Sequence, residues 1–192
     1  SYLLIGGLSP ISLRGIVPQL LEENETKKII IYDDLSGGAS SASKYLRDSR
    51  VSLTIGSTFN EQLIEKVLAD NDITHVIDLA SLCTPNKKSS PIEIARTSVV
   101  GFTHVIDAVR HYGQKPRFVL VSRQAANAMS CEAMLHSYVI SYRMPLVVAR
   151  LSEGVIAHEL SRGPNTKLFD KIDEDSNESY SIISLRDAAR GE

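Results

Sequence analysis

The sequence predicts an open, doubly wound α/β fold built around a parallel sheet. Short apolar stretches alternate along the chain with longer segments whose apolar residues follow helical spacing. The stretch 74–79 is apolar almost throughout, as expected of a parallel strand that is covered on both faces. Strands and helices that alternate in this way are typical of βαβ units joined into one sheet.

The elements are predicted in a regular order. Strands are expected at residues 2–5, 29–32, 51–55, 74–79, 117–121 and 145–149. The helices between them are expected at 11–21, 60–69, 91–112 and 128–142, with a short helix before residue 47. We expect the first strand to lie in the centre of the sheet, with right-handed crossovers to its neighbours.

The first 34 residues have the order of a dinucleotide-binding βαβ unit. The first strand leads into a glycine turn at Gly6 and Gly7, a helix follows, and the second strand ends at Asp33 and Asp34. Such a unit places an acid about 20 residues past the glycines, where its carboxylate binds a ribose. Gly6, Gly7, Asp33 and Asp34 are therefore candidate cofactor ligands.

The glycine turn departs from the complete three-glycine fingerprint. Ser9 and Ser12 stand at the second and third glycine positions, where a Cβ obstructs the pyrophosphate and the helix–strand contact. Pro10 has no N–H to offer a phosphate, although Ser9 and Pro10 together form a good helix start. Two interpretations stay open: a turn kept for folding, or a weakened nucleotide site.

Composition limits the possible functions. The chain has 192 residues, 43% of them apolar, which favours one domain with a proper core. A formal charge of −2 argues against a general nucleic-acid surface. The sequence has no run of about 18 apolar residues, so no transmembrane helix and no membrane partner are expected. Cys83 and Cys131 lie far apart in the sequence, which favours free thiols in a reducing compartment, and we expect the cytoplasm. No signal peptide is expected, because the sequence begins directly in a strand. The histidines show no metal-ligand spacing, so no metal site is expected. The first residue is not Met and the last ones suggest a helix, which favours a piece of a longer polypeptide.

Six blocks in order carry a family resemblance. They are LIGG at 4–7, IYDDLS at 31–36, VIDLAS at 76–81, TSVVG at 97–101, FVLVS at 118–122 and EAMLHSY at 132–138. Together they resemble the extended short-chain dehydrogenase/reductases, specifically the NAD-dependent nucleotide-sugar epimerases and dehydratases such as the dTDP-glucose 4,6-dehydratases. The resemblance implies a Rossmann-fold core over residues 1–150 and a reduced substrate region over 151–192. It also implies that any NAD would contact Gly6, Gly7, Ile11, Asp33, Asp34, Leu79 and Ala80.

The resemblance fails where the family keeps its catalytic residues. Family members use a Ser or Thr, a Tyr that acts as acid and base, and a Lys four residues later that lowers the pKa of that Tyr. Without such a cation, a tyrosine with a pKa of ~10 is a poor base at neutral pH. Alignment on Glu132 puts Gln124 at the Tyr position and Ala128 at the Lys position, and leaves Ser122 alone. We therefore expect a degenerate family member without catalytic residues.

Three functions remain in competition at this stage. The sequence favours a non-catalytic domain that scaffolds, dimerises or regulates, with no cofactor or with weakly bound NAD. The alternatives are a sensor that binds NAD or a nucleotide-sugar, and an active enzyme that uses unrecognised residues. The helices at 91–112 and 128–142 are expected to pair with a second copy, an intact relative or a neighbouring catalytic domain. The predicted contact residues of the second helix are Met134, Leu135, His136, Tyr138 and Tyr142.

Overall fold

The computed structural model describes residues 1–36, 42–82, 90–123 and 126–151, and in them a six-stranded parallel sheet. The strands are β1 (Tyr2–Ile5), β2 (Ile29–Asp33), β3 (Val51–Ile55), β4 (His75–Asp78), β5 (Arg117–Arg123) and β6 (Leu146–Leu151). They lie in the order β3-β2-β1-β4-β5-β6, and every pairing is parallel. This is the strand order of the Rossmann fold. The predicted fold class and the central position of β1 are confirmed.

The helices fall where the apolar spacing predicts them. They are α1 (Val17–Glu22), α2 (Glu61–Asp70), α3 (Pro91–Ala95), α4 (Gly101–Tyr112) and α5 (Ala126–Tyr142). A π-helical turn, Ser12–Ile16, leads into α1, and another, Arg96–Val100, joins α3 to α4. The predicted helix 91–112 is thus one continuous helical segment. Helix α5 begins two residues earlier than predicted, and 3₁₀ turns occupy Ala42–Arg47 and Ala80–Leu82.

Local signals set several helix ends. The Asn60 side chain accepts a hydrogen bond from the Leu63 amide at 3.1 Å, which caps the start of α2. Ser90 and Glu93 form a reciprocal capping box at the start of α3. Gly113 follows α4 in the left-handed region, with φ of 75°, where a residue with a Cβ is disfavoured.

Alternate side chains of each strand fill two separate core layers. On one face, Leu4, Ile31 and Val119 pack with residues of the first helix. On the other face, the strands pack against α2, α4 and α5; this layer includes Leu3, Ile5, Ile30, Val76, Phe118, Leu120, Ile64, Leu68, Val105 and Ile106. Burying each such side chain stabilises the fold by about 1.5–3 kcal/mol before entropy is counted. The sheet therefore lies between the two core layers and contributes side chains to both.

The exposed face of α5 differs from the predicted contact surface. Leu135 is 3% exposed and belongs to the core, and Met134 and Tyr138 pack against that core. The apolar residues that α5 leaves exposed are Met129, Val139, Ile140 and Tyr142. The prediction is therefore wrong for Leu135, because its helical face is needed to cover the sheet.

Some predicted features lie outside the described residues. They include Cys83, Gln124 and, beyond Leu151, the region predicted as a reduced substrate segment. The division into a core and a substrate region therefore stays a prediction. Within the four described ranges, no helix is both long enough and apolar enough to cross a membrane.

A matched pair of isoleucines in the continuous helix 91–112 tests the layer assignment. Ile106 is fully buried and Ile92 is 78% exposed. Ile106→Ala should lower the free energy of unfolding by about 2–5 kcal/mol, because it leaves a cavity under α4. Ile92→Ala should change it by no more than about 0.5 kcal/mol. Urea unfolding followed by circular dichroism measures both, and equal losses would contradict the assignment.

Candidate functional site

The glycine turn packs directly against the chain that follows β4. Gly6 has a φ of 68°, and a Cβ on it would lie 2.8 Å from the Ala80 nitrogen. The Leu79 amide donates a hydrogen bond to the Ile5 carbonyl at 2.9 Å. A Cβ on Gly7 would lie 2.9 Å from the Leu4 carbonyl oxygen. Four predicted ligands, Gly6, Gly7, Leu79 and Ala80, thus meet at the carboxyl ends of β1 and β4.

The carboxylate of Asp33 fastens this turn to the end of β2. Its Oδ2 accepts a hydrogen bond from the Leu8 amide at 3.0 Å, and its Oδ1 accepts one from the Leu35 amide at 2.9 Å. A ribose would have to share these oxygens with the backbone. Asp34 is exposed and accepts a hydrogen bond from the Ser36 amide at 2.9 Å, so it closes its own turn. Asp33 thus joins the candidate site, whereas the carboxylate of Asp34 is engaged outside it.

The start of the first helix leaves little for a phosphate to bind. The Ser9 hydroxyl accepts a hydrogen bond from the Ser12 amide at 3.3 Å, as the N-cap that the sequence predicts. Pro10 has no N–H, and the Leu8 amide is held by Asp33. Ile11 keeps an amide at the second helical position, while its side chain is buried in the core. The pyrophosphate half of a dinucleotide site is therefore short of free backbone amides.

Ser12 shows the same loss at the third glycine position. It is fully buried, and its Oγ has no hydrogen-bond partner among the described residues. An unpaired buried hydroxyl costs about 1–3 kcal/mol. The helix has thus kept its place beside the sheet with a side chain that this contact does not favour.

Ser122 is held in a network that sequence reasoning missed. Its hydroxyl donates to Oε1 of Glu132 at 2.5 Å. Arg150, paired with Ser122 across β5 and β6, donates from Nε to both Glu132 oxygens at 3.0 and 3.1 Å. The hydrogen bonds from Arg150, and then the one from Ser122, hold the pKa of Glu132 below its usual value. The signal in the sequence is an acid in α5 and a base in β6, whose contact only the fold brings about.

Ala128, which alignment on Glu132 puts at the family's lysine position, is a buried methyl group. Ala128 is fully buried at the start of α5. Strand β5 ends at Arg123 and α5 begins at Ala126, so a very short connection separates them. The described part of this site contains Ser122 and Ala128 and no tyrosine–lysine pair, while Gln124 lies outside it.

Asp78 is the second group that the sequence analysis did not single out. It ends β4, is fully buried, and accepts a hydrogen bond from the Ala80 amide at 2.8 Å. Its Oδ2 has no partner among the described residues, and burial raises its pKa to about 7. Burial, and then the charge of Asp78, raise the pKa of the Cys131 thiol to about 12. The available signal was a carboxylate inside the VIDLAS block, in an otherwise apolar strand.

The fold and this site define a Rossmann domain of the dinucleotide-binding class. A family model described as the NAD dependent epimerase/dehydratase family matches residues 14–128, which is more than half of the chain. The chain therefore belongs to that family. A search of the curated proteins found no match.

Solved structures of similar fold include a UDP-glucose 4-epimerase and a dTDP-glucose 4,6-dehydratase. A UDP-glucose 4-epimerase from Brucella ovis in complex with NAD has 19% identity and a TM-score of 0.65, over 78% of this chain and 50% of that one. A dTDP-glucose 4,6-dehydratase from Streptomyces venezuelae with NAD and TYD bound has 17% identity and a TM-score of 0.68, over 78% of this chain and 54% of that one. The chain thus spans about half the length of these structures, and at such identities they show the fold alone.

Asp78→Asn tests the buried carboxylate through the pH dependence of stability. Because the folded pKa is raised to about 7, the folded state binds more protons than the unfolded state between about pH 4 and pH 7. Stability of the unsubstituted protein should therefore fall as pH rises through this window. Asp78→Asn should remove the fall and be more stable at pH 8, by roughly 2–4 kcal/mol.

Urea unfolding at several pH values from 4 to 8 measures this difference. Asp34→Asn is the matched control, because Asp34 is exposed and an asparagine can still accept the hydrogen bond from Ser36. The assignment is overturned if Asp78→Asn keeps the same slope with pH as the unsubstituted protein.

Proposed function

We propose that this chain is a non-catalytic epimerase/dehydratase-family domain that acts by association, as a scaffold or regulator of a second copy or an intact relative. The observation that carries the proposal is the state of the catalytic positions. The Ser122 hydroxyl donates a hydrogen bond to Glu132, and Ala128, which alignment on Glu132 puts at the lysine position, is fully buried. Ser122 keeps the family's hydroxyl but uses it within the protein, and residue 128 offers no ammonium group.

A serine hydroxyl contributes to this chemistry only when it can reach the substrate. Here the hydroxyl of Ser122 lies 2.5 Å from a carboxylate that Arg150 also holds. Breaking such a charge-assisted bond would leave Glu132 short of a donor. A lysine at residue 128 would need to place its ammonium beside the buried side of α5, at the cost of burying a charge. The site is therefore filled by the protein's own contacts.

Residual binding of NAD is the second candidate, and Asp33 favours it. The relatives named above contain NAD, and Asp33 stands where a Rossmann acid binds the adenosine ribose. Its charge would also repel the 2′-phosphate of NADP. The pyrophosphate half lacks amides, so this proposal is limited to weak NAD binding. Because of this shortage of amides, we place NAD binding after the non-catalytic role.

Calorimetric titration with NAD tests the shortage of amides. The unsubstituted chain should bind with a dissociation constant above about 100 μM, a loss of more than about 2.7 kcal/mol against a 1 μM site. Ser9→Gly/Pro10→Ala should bind at least about tenfold more tightly, because it frees the Ser12 amide and adds one at residue 10. In the same samples, UDP-glucose or dTDP-glucose with NAD should give no product.

The controls compare the two neighbouring acids at the end of β2. Asp33→Ala should abolish any binding, and Asp34→Ala should leave it unchanged. An intact epimerase run in parallel serves as the positive control for turnover. Low-micromolar binding by the unsubstituted chain would contradict the shortage of amides at the pyrophosphate, and turnover that Ser122→Ala abolishes would rule out the non-catalytic proposal.

The proposed association surface is the exposed side of the helices α3, α4 and α5. The helical segment 91–112 exposes Ile92 and Val100, and α5 exposes Met129, Ile140 and Tyr142. Arg110 lies over the Tyr142 ring, 4.8 Å from its centroid, and so connects the two helices at this surface. Pairing through it would cover apolar side chains that the domain itself leaves in water. A stable pair needs roughly 1,000 Å² of buried surface, which four such helices can supply.

A charge placed on this surface tests the association. Ile140→Asp should weaken the dimer at least about tenfold in sedimentation at micromolar concentration, because it puts a carboxylate into an apolar contact. Ile55→Asp is the matched control: Ile55 is 60% exposed but lies on the edge strand β3. If the chain is a monomer and binds no intact relative, or if both variants weaken the pair equally, association through this surface is wrong.

A further inference from the structure

Two carboxylates and two imidazoles meet between α2 and α4. Glu61 and Glu65 lie one turn apart on α2, and His104 and His111 lie two turns apart on α4. Nδ1 of His111 is 3.4 Å from Oε1 of Glu61 and 3.4 Å from Oε1 of Glu65. Nδ1 of His104 is 3.4 Å from Oε2 of Glu61. The four side chains therefore face one another across the helix contact.

The spacing of these atoms fits a metal ion better than direct hydrogen bonds. Hydrogen bonds between nitrogen and oxygen have their usual distance near 2.9 Å, well under 3.4 Å. Ligand atoms around a tetrahedral zinc ion, with bonds of about 2.1 Å, lie about 3.4 Å apart. The ligand atoms of Glu61, Glu65 and His111 all lie within 4.8 Å of one another, so the two carboxylates would have to draw together for all three edges to reach about 3.4 Å.

The charges of the cluster also favour a bound cation. Glu61 and Glu65 are like charges at i and i+4, a pair that destabilises a helix. A neutral histidine does not offset them, and half-exposed surface pairs contribute little in any case. A divalent cation would neutralise both carboxylates and join the two helices.

We propose that Glu61, Glu65 and His111 bind a divalent transition-metal ion, zinc above all, with a water molecule at the fourth position. A mixed set of imidazole and carboxylate ligands suits zinc, whereas magnesium and calcium prefer oxygen alone. His104 would hold the second oxygen of Glu61 and orient it, as outer partners of metal ligands commonly do. The ion would fasten α2 to the helix that carries the proposed association surface.

Arg110 competes with the ion for His111. Its Nη2 lies 2.5 Å from Nε2 of His111, while its Nε donates to Asp107 at 2.7 Å. An arginine that donates to Nε2 leaves the proton on Nδ1, the atom that must bind the metal. Metal binding would therefore move the proton to Nε2 and turn the Nη2 group aside.

Zinc titration of the whole 192-residue chain in competition with a chromophoric chelator tests the site. Glu65→Gln and His111→Gln should each weaken binding at least about tenfold, and His104→Gln should weaken it less. Arg110→Gln should tighten it. His136→Gln, on α5, and Cys83→Ser are controls that should leave it unchanged. Cobalt should give the visible absorption of a four-coordinate site, and zinc a hundredfold above its dissociation constant should raise the Tm by roughly 5–10 °C.

The outcomes separate this site from the proposed function. Binding that survives both Glu65→Gln and His111→Gln, or that falls with Cys83→Ser, would overturn the assignment. So would weaker binding by an Arg110→Gln protein that melts at the unsubstituted temperature. Because the test measures metal affinity and needs neither NAD nor a partner, its result does not depend on whether the domain is catalytic or dimeric.

Discussion

The two hydrogen bonds that Asp33 accepts from the amides of Leu8 and Leu35 hold the glycine turn to the end of β2. The turn also has to pass within contact distance of the backbone after β4, which only a glycine at residue 6 allows. Together these contacts fix where the first helix starts and how it meets the sheet. The carboxylate that serves a ribose in other Rossmann domains therefore acts here as a bridge within the protein. That role needs no ligand, and it can preserve the turn after ligand binding weakens.

Internal contacts of this kind recur along the carboxyl ends of the strands. At β5, Ser122 is bound by Glu132. At the start of the first helix, the Ser12 amide is bound by Ser9. Asp78, at the end of β4, is fully buried and accepts a hydrogen bond from the Ala80 amide, while its Oδ2 has no partner among the described residues. All three groups lie at one edge of the sheet, and the two core layers lie behind it.

The elements were predictable because their signals are local. The bounds of β1 and β3 follow from apolar and β-branched runs, and the start of α2 follows from Asn60 as its cap. The network of Ser122, Glu132 and Arg150 was not predictable, because β6 must first lie beside β5. The contacts of Glu61 with His104 join residues 43 positions apart. Leu135 was misjudged for a related reason: helical spacing shows that a face is apolar but not which neighbour covers it.

The geometry of the sheet separates the proposed association surface from the candidate cofactor site. Cofactor and substrate residues of a Rossmann domain lie at the carboxyl ends of the strands, and their contacts end there. The helices α2, α4 and α5 are instead held by the layer that includes Ile64, Ile106 and Leu135, on one face of the sheet. Changes at Ser9 or Ser122 remove no side chain from that layer, and its burial holds these helices against the sheet. The strand ends and the outer faces of the helices therefore lie in different parts of the domain, so a change in the contacts of Ser122 leaves the exposed position of Ile140 unaltered.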